Sequence, residues 1–485
     1  MKLKISLVTG TNEIMEIEAE EGQNLYEVLA AHGVQLSAPC GGRGRCGKCK
    51  VELCDGIKTE TVLACRTLLK NDCTVRLISA ENKILTGGRR KAFSTDGREG
   101  LALAVDVGTT TVAAYLLDSQ NGIELASDSF LNPQRIHGAD VISRMSFACE
   151  GRENALLMQR ELLDLIDEAE KKMIAQVDVP VDSEVCERVL VGNTAMMHIA
   201  SGMDTGGISR APYYPEYTSM HKRVIDGRQY IFGGCISGYV GADTVAAMLA
   251  CEVDKANDNV LLIDIGTNGE IVLKANGKLS CCSCAAGPAF EGAHISCGTG
   301  AVSGAVDHLS AKDGGFAFTT ISGADPSGIC GSGLVDAVAY LMDEEHITPM
   351  GRMKERFVIS NKVYIEPSDI REVQLAKAAI AAGIEILADR AGISLNEIDR
   401  VLLAGGFGNY IDVHSACKIG LLPSELEQKV IPVGNAAGDG AKMLALSKNA
   451  TLSAEKLRLK TSYIELSAQE DFEDIYTDNL IFEID

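Results

Sequence analysis

The sequence predicts an α/β protein in which a small mixed sheet with a cysteine loop precedes a two-lobed α/β body whose lobes are duplicated. Three observations predict it. Residues 101–115 and 259–273 share one plan, an apolar strand, an Asp-x-Gly-Thr turn and a second apolar strand, which marks an internal repeat. Residues 372–391 form an Ala-rich helix with Val373, Ala376, Ile380, Ile384 and Leu387 on its core face, and a strand at 399–404 then runs into Gly405-Gly406-Phe407-Gly408. The stretch before residue 81 alternates short apolar strands with one helix and a glycine-rich loop.

In that N-terminal unit, Lys2–Val8 and residues 12–19 read as a strand pair, and 24–32 as a helix with Leu25, Val28, Leu29 and His32 on one face and Gly33 as its stop. Strands at 50–53 and 74–78 follow, an order that resembles the β-grasp ferredoxin. Between them Cys40, Cys46 and Cys49 are spaced C-x5-C-x2-C among Gly41, Gly42, Gly44 and Gly47. Each iron of a 2Fe-2S cluster takes two thiolates, and glycines let a loop fold over the cluster with its amides toward the sulfides. Cys65, after the apolar run Val62-Leu63-Ala64, is read as the fourth ligand; Cys54 follows Cys49 too closely and Cys73 lies in a polar turn. Its distance from Cys49 is short for a plant-type pattern, and buried thiols or a zinc site are the alternatives, although zinc knuckles favour two close pairs. Arg43, Arg45 and Lys48 make a basic spot there, which docks an acidic donor, raises the cluster potential or is simply solvated.

Composition bounds the partners. With 67 acidic and 45 basic residues the net charge is -22, which repels nucleic acid and anionic lipid. No stretch approaches the ~18 apolar residues of a membrane span, and the N-terminus has no signal-peptide core. A cytoplasmic protein with protein and nucleotide partners, no nucleic acid and no membrane is expected. The 16 cysteines are expected as thiols or ligands in a reducing compartment, and such a load hints at anaerobic life. Cys281, Cys282, Cys284 and Cys297 cluster in sequence, but C-C-x-C is no cluster spacing and free Cys is commonly a small buried hydrophobe.

The repeated turn has a chemistry of its own. Gly108 and Gly266 let backbone amides, with Thr109, Thr110, Thr267 and Asn268, approach phosphate oxygens, while Asp106 and Asp264, each ending an apolar strand, can hold hydrated Mg2+. Glu270 is a candidate for orienting water, or a solvated strand residue. Gly405, Gly406 and Gly408 can press backbone against adenosine, or make a tight turn. No G-x-x-x-x-G-K-[ST] occurs, so the reading is not a P-loop ATPase.

Together with Val189-Leu-Val-Gly-Asn-Thr194 and Gly434-Asn-Ala-Ala-Gly-Asp-Gly440, these motifs resemble the phosphate, adenosine and connecting segments of the actin, sugar kinase and Hsp70 (ASKHA) ATPase superfamily. The whole chain resembles the reductive activators of corrinoid proteins, through the cysteine loop, Gly138-Ala-Asp-Val-Ile-Ser-Arg144, Ala285-Ala-Gly-Pro-Ala-Phe-Glu-Gly292, Cys330-Gly-Ser-Gly-Leu-Val-Asp336 and Tyr463-Ile-Glu-Leu-Ser467. The resemblance implies an ASKHA-type ATPase preceded by a β-grasp 2Fe-2S ferredoxin domain, with the cluster, ATP and Mg2+ as cofactors. It implies ATP-driven transfer of one low-potential electron to a cobalt(II) corrinoid protein, from an unidentified donor, restoring cobalt(I) for methyl transfer. The expected domains are 1–80 (ferredoxin), 81–99 (a linker, tethering or ordered), 100–258 (first lobe) and 259–485 (second lobe, its C-terminal segment returning to the lobe interface). The connector is too short for the extra middle domain of larger relatives, so a short form is expected; C-terminal four-cysteine motifs are absent after Cys417. A homodimer is compatible with the sequence. Competing readings are a small-molecule kinase, another ATP-driven low-potential reductase, and a nucleotide-binding redox sensor of the same fold.

Overall fold

The computed structural model describes residues 2–8, 14–32, 34, 49–54, 58–77, 92–138, 140–177, 179, 184–255, 257–312, 314–408 and 410–482. Strands Lys2–Val8 and Ile14–Glu20 pair antiparallel with Ile5 opposite Ile17, and Lys2–Val8 runs parallel to Cys73–Leu77. Lys50–Cys54 and Thr59–Leu63 complete a five-stranded mixed sheet. Strand alternation sends Leu3, Ile5, Leu7, Ile17, Val51 and Val75 to one face, which Leu25, Val28 and Leu29 of the helix Leu25–Ala31 close. This is the β-grasp unit foreseen, with Thr59–Leu63 as a strand the periodicity did not mark out. Cys40, Cys46 and their glycine loop lie outside the described residues.

Part of the connector is not a tether. Residues 92–99 lie on the large body: Phe93 is buried and its N–H donates to Gly122 O (2.9 Å), and Asp96 N–H donates to Leu446 O (3.1 Å). The Thr95 hydroxyl donates to Ser119 O, and Arg98 pairs with Glu187 at 2.7 Å. The earlier part, 81–91, is outside the described residues.

The body repeats one sheet twice. In the first, Leu101–Val107, Thr111–Asp118 and Ile123–Leu131 form an antiparallel meander, and Val185–Gly192 and then Arg228–Phe232 are added in parallel beside its first strand, with His221–Ile225 at the edge. In the second, Val260–Ile265, Gly269–Ala275 and Lys278–Cys284 make the same meander, and Arg400–Ala404 and Val430–Gly434 add in parallel in the same place. Thr461–Tyr463 joins the far edge. Central strands with helices or sheets on both faces read as continuous apolar runs, which is why both repeats stood out in the sequence.

Alternation along Val260–Ile265 divides the interior. Val260 and Leu262 face a core shared with the first sheet, whereas Leu261, Ile263 and Ile265 face a second core closed by the helices Gly331–Asp343 and Pro367–Ala391. The latter begins five residues earlier than the Ala-rich pattern suggested, because Pro367 sits in its first turn and Glu366 and Asp369 form a capping box. The helices Ala242–Ala250 and Ala436–Leu446 cross where a Cβ on Gly440 would stand 2.1 Å from Ala246 O, so only glycine permits that approach. Ala441, Ala445, Ala450, Ala454 and Leu457 all belong to the first core. The segment 436–460 thus lies in the core shared by the two sheets, with Ala436–Leu446 packed on the helix Ala242–Ala250.

Candidate functional site

The two Asp-x-Gly-Thr turns face each other at the ends of the central strands, and buried polar groups fix the first. Asn132 is fully buried; its amide donates to Gly108 O (2.8 Å), and its backbone N–H donates to Thr110 O (3.0 Å). Arg144, also fully buried, donates to Thr109 O (2.6 Å) and Gly138 O (3.0 Å). Burial pushes its guanidinium down to about 9, with the nearby Arg135 adding to the effect. A Cβ on Gly108 would lie 2.5 Å from Thr111 O, which makes glycine obligatory at this turn. The Thr109 hydroxyl accepts from the Asn193 amide (3.1 Å), while Asn193 Oδ1 caps the helix Thr194–Ser201.

In the second turn Gly266 N–H donates to Asn268 O (3.0 Å). Asp264 pairs in register with Glu270 on one side and Ala404 on the other, so the chain leaving Ala404 passes directly over it. Gly405 takes φ +90°, and a Cβ there would stand 2.6 Å from Asp264 Oδ1. Of the three glycines assigned to adenosine, Gly405 thus borders the carboxylates, Gly406 faces open space, and Gly408 packs on Leu403. Phe407 between them stacks on Phe290, with ring centroids 5.2 Å apart.

One carboxylate joins the turns. Glu291 Oε2 accepts from the Thr110 hydroxyl (2.6 Å) and Oε1 accepts from the Thr267 hydroxyl (2.8 Å). The predicted phosphate residues of the two lobes are thereby brought together through a residue to which the sequence reading gave no role.

Four more carboxyls crowd the cleft. Burial pushes Asp106 up to about 6, partly offset by the Asn435 amide that donates to it at 2.9 Å. Asp264 rises to about 7 through burial and the charge of Asp106. Asp243, in the first turn of the helix Ala242–Ala250, also rises to about 7, through burial first and then Asp106. Glu270, half-buried, is raised well above the usual range by burial, then by Asp243, Asp264 and Cys284. Half-buried carboxyls this close together raise one another's proton affinity. Among the described residues no group of three or more His, Cys, Asp or Glu side chains has the geometry of a closed metal cage.

Asp243, Glu291 and Asn435 are the additions to the predicted set. Glu291 and Asn435 sit inside segments singled out by resemblance, whereas nothing in the sequence marked Asp243.

At the other end of the chain, Cys49 and Cys65 Sγ lie 3.1 Å apart, with Cys49 buried and Cys65 N–H directed at Cys49 Sγ (3.5 Å). Cys65 sits in the one-turn helix Ala64–Arg66 that follows the strand Thr59–Leu63. Cys54 ends the strand that Cys49 precedes, so it is about 16 Å away at ~3.3 Å per residue, and its register partner Thr74 places Cys73 at that same far end. Two adjacent thiols with an amide aimed at sulfur are a donor set that fits iron. The cysteines at 281–284 are not such a set: Cys281 belongs to the core shared by both sheets, and Cys282 and Cys284 to the other.

The comparisons with known proteins follow this division. Residues 9–70 match the 2Fe-2S iron-sulfur cluster binding domain, 101–256 the RACo middle region, and 258–484 the C-terminal domain of RACo, the ASKHA domain. The match at 101–256 overturns the expectation of a short form lacking a middle domain: that region is the first lobe itself. The chain is 28% identical, over an alignment 580 positions long with its gaps, to the corrinoid activation enzyme RamQ of Eubacterium limosum, covering 96% of this chain and 97% of RamQ. It is 22% identical to a [Co(II) methylated amine-specific corrinoid protein] reductase of Methanosarcina barkeri, over 77% of this chain and 75% of that one. Among solved structures, a reductive activator for corrinoid, iron-sulfur protein superposes with a TM-score of 0.72 at 26% identity, covering 99% of this chain and 98% of the other. The chain thus joins an N-terminal 2Fe-2S ferredoxin domain to a two-lobed ASKHA-type body that matches RACo through both its middle region and its C-terminal domain.

Proposed function

We propose that this chain is an ATP-dependent reductive activator that delivers one low-potential electron to a cobalt(II) corrinoid protein and restores cobalt(I) for methyl transfer. The observation that carries the reading is the union, in one chain, of the Cys49–Cys65 thiol pair with a cleft in which Thr110 and Thr267 of opposite lobes converge on one anion. A kinase reading leaves the thiol pair without a purpose.

In this reading Cys40, Cys46, Cys49 and Cys65 would hold the 2Fe-2S cluster. Such a cluster supplies a one-electron couple near roughly -400 mV. Asp106, Asp264 and Asp243 would hold hydrated Mg2+, which would supply positive charge against phosphate. Thr109, Thr110, Thr267 and Asn268 position phosphate oxygens, Gly405 brings backbone against the nucleotide, and Glu270 orients water. Because Ala436–Leu446 and Ala242–Ala250 pack between the two sheets, closure of the lobes on nucleotide moves the surface offered to the corrinoid protein. The setting we propose is cytoplasmic, with no nucleic acid or membrane partner, a separate low-potential donor, and room for a homodimer.

The test mixes chemically reduced protein with a corrinoid protein of the same organism, with and without MgATP, and follows the cobalt(I) absorption band. Cobalt(I) should appear only with MgATP. Equal formation without nucleotide sinks the reading in favour of a redox sensor.

A further inference from the structure

We infer that Glu291 is the residue by which the cleft tells a nucleoside triphosphate from a diphosphate, acting as an internal anion that competes with the terminal phosphate for the hydroxyls of Thr110 and Thr267. This rests on the nucleotide reading above and assigns it a discriminating residue.

Each threonine hydroxyl has a single proton to donate. Thr110 gives its proton to Glu291 Oε2 at 2.6 Å and Thr267 gives its own to Oε1 at 2.8 Å, so both donors are committed to the carboxylate. A phosphoryl group that accepts from the same hydroxyls must displace it. Two anions do not share one donor pair, since their repulsion in a partly desolvated cleft exceeds what either bond returns.

The position identifies which phosphate competes. Gly405 and Phe407 follow Ala404, beside Asp264 in the second sheet, so a nucleotide seated there meets the turn of Thr267 first. Thr110 belongs to the other lobe. The group that reaches both hydroxyls is the one farthest from adenosine, and a diphosphate leaves Glu291 in place.

Displacement has somewhere to go and something to move. The Arg135 guanidinium, in the short helix Pro133–Ile136, is near enough to feel the charge of Glu291, so the released carboxylate has a cation beside it. Phe290, the residue before Glu291, stacks on Phe407, and Ser296 further along donates to Asp369 from both its N–H (2.9 Å) and its hydroxyl (3.0 Å). Expulsion of Glu291 therefore works a segment, 285–296, that is tied to its neighbours at Phe290 and Ser296.

The experiment measures dissociation constants for Mg-AMPPNP and Mg-ADP on the full chain and on Glu291→Gln, whose neutral amide bridges without competing as an anion. The variant should bind AMPPNP about tenfold more tightly than wild type, the scale of a charge-assisted hydrogen bond no longer broken, and ADP within about twofold. In wild type, amide hydrogen exchange across 285–296 should rise with AMPPNP over ADP, a readout that does not depend on the variant. An unchanged or weakened AMPPNP affinity in Glu291→Gln, or identical exchange with the two nucleotides, overturns the inference. Wild-type protein that binds neither nucleotide overturns the nucleotide site itself, and the two failures are distinct.

Discussion

Asn435 reaches across the molecule to donate its side-chain amide to Asp106 Oδ2 at 2.9 Å, while its own Oδ1 accepts from Gly438 N–H (2.8 Å) and caps the helix Ala436–Leu446. One residue thus starts the helix that lies between the sheets and steadies the carboxylate of the first turn. Asn435→Ala should cost about 1 kcal/mol for the cap, with more for the solvation lost at Asp106. Asn435→Asp keeps the cap but sets a carboxylate against Asp106. Its melting temperature should therefore fall without Mg2+ and recover with it, a salt-specific rescue that calorimetry with and without MgCl2 reads directly.

Asp264→Asn should abolish ATP hydrolysis, because a magnesium anchor contributes about several kcal/mol of transition-state stabilisation, and should leave the visible spectrum of the iron-sulfur domain intact. It should also raise stability in the absence of Mg2+ at pH 8. Asp264 is raised to about 7 in the fold. The stability tied to its protonated form is present below about pH 4 and is lost as pH rises through 7, and the amide removes that loss. Unchanged ATP turnover would place the site elsewhere.

The parts of this chain legible in sequence are those whose information is local. The Asp106 and Asp264 turns are each one contiguous strand-turn-strand, and the helix that ends at Ala391 declares itself by periodicity. Asp243 gives no such sign, because only the crossing of its helix with the one bearing Gly440 carries it toward Asp106 and Asp264. Glu291 lay within a recognised segment, yet its partners Thr110 and Thr267 come from both lobes, a relation that no spacing encodes. Gly408 read as part of a nucleotide-facing turn, and its contact with Leu403 makes it a packing glycine.

The thiol geometry separates cysteines that composition cannot. Cys65→Ser, anaerobically purified, should lose or distort the iron-sulfur spectrum, since its sulfur lies 3.1 Å from that of Cys49. Cys54→Ser and Cys73→Ser, at the other end of those strands, should keep it. A wild-type spectrum from the Cys65 variant would end its assignment as a ligand.

The remaining prediction concerns acid stability of the first lobe. His198 is fully buried in the helix Thr194–Ser201, stacked on Tyr217, with Nδ1 at 2.8 Å from Thr194 O and Nε2 at 3.1 Å from Glu216 N. A carbonyl only accepts and a backbone N–H only donates, so Nδ1 carries the proton and Nε2 must stay bare. Burial accordingly pushes this imidazole down to about 4. A histidine depressed in the fold contributes stability that is complete above its unfolded value near 6.5 and is lost as pH falls toward 4, because the unfolded chain takes up a proton that the folded chain refuses. The loss between pH 7.5 and 5 should be roughly 2 kcal/mol. Carboxyls such as Asp106 and Asp264 titrate over an overlapping range with the opposite sign, so wild type alone does not isolate the histidine. His198→Gln offers a donor and an acceptor without a titrating group. Urea denaturation of both proteins at pH 7.5 and 5 should show the variant less stable at the higher pH, with the gap narrowing by that amount at the lower. A gap that stays constant between the two pH values would mean that His198 is protonated alike in folded and unfolded chains, and that the Nδ1–H tautomer is not what holds Glu216 in place.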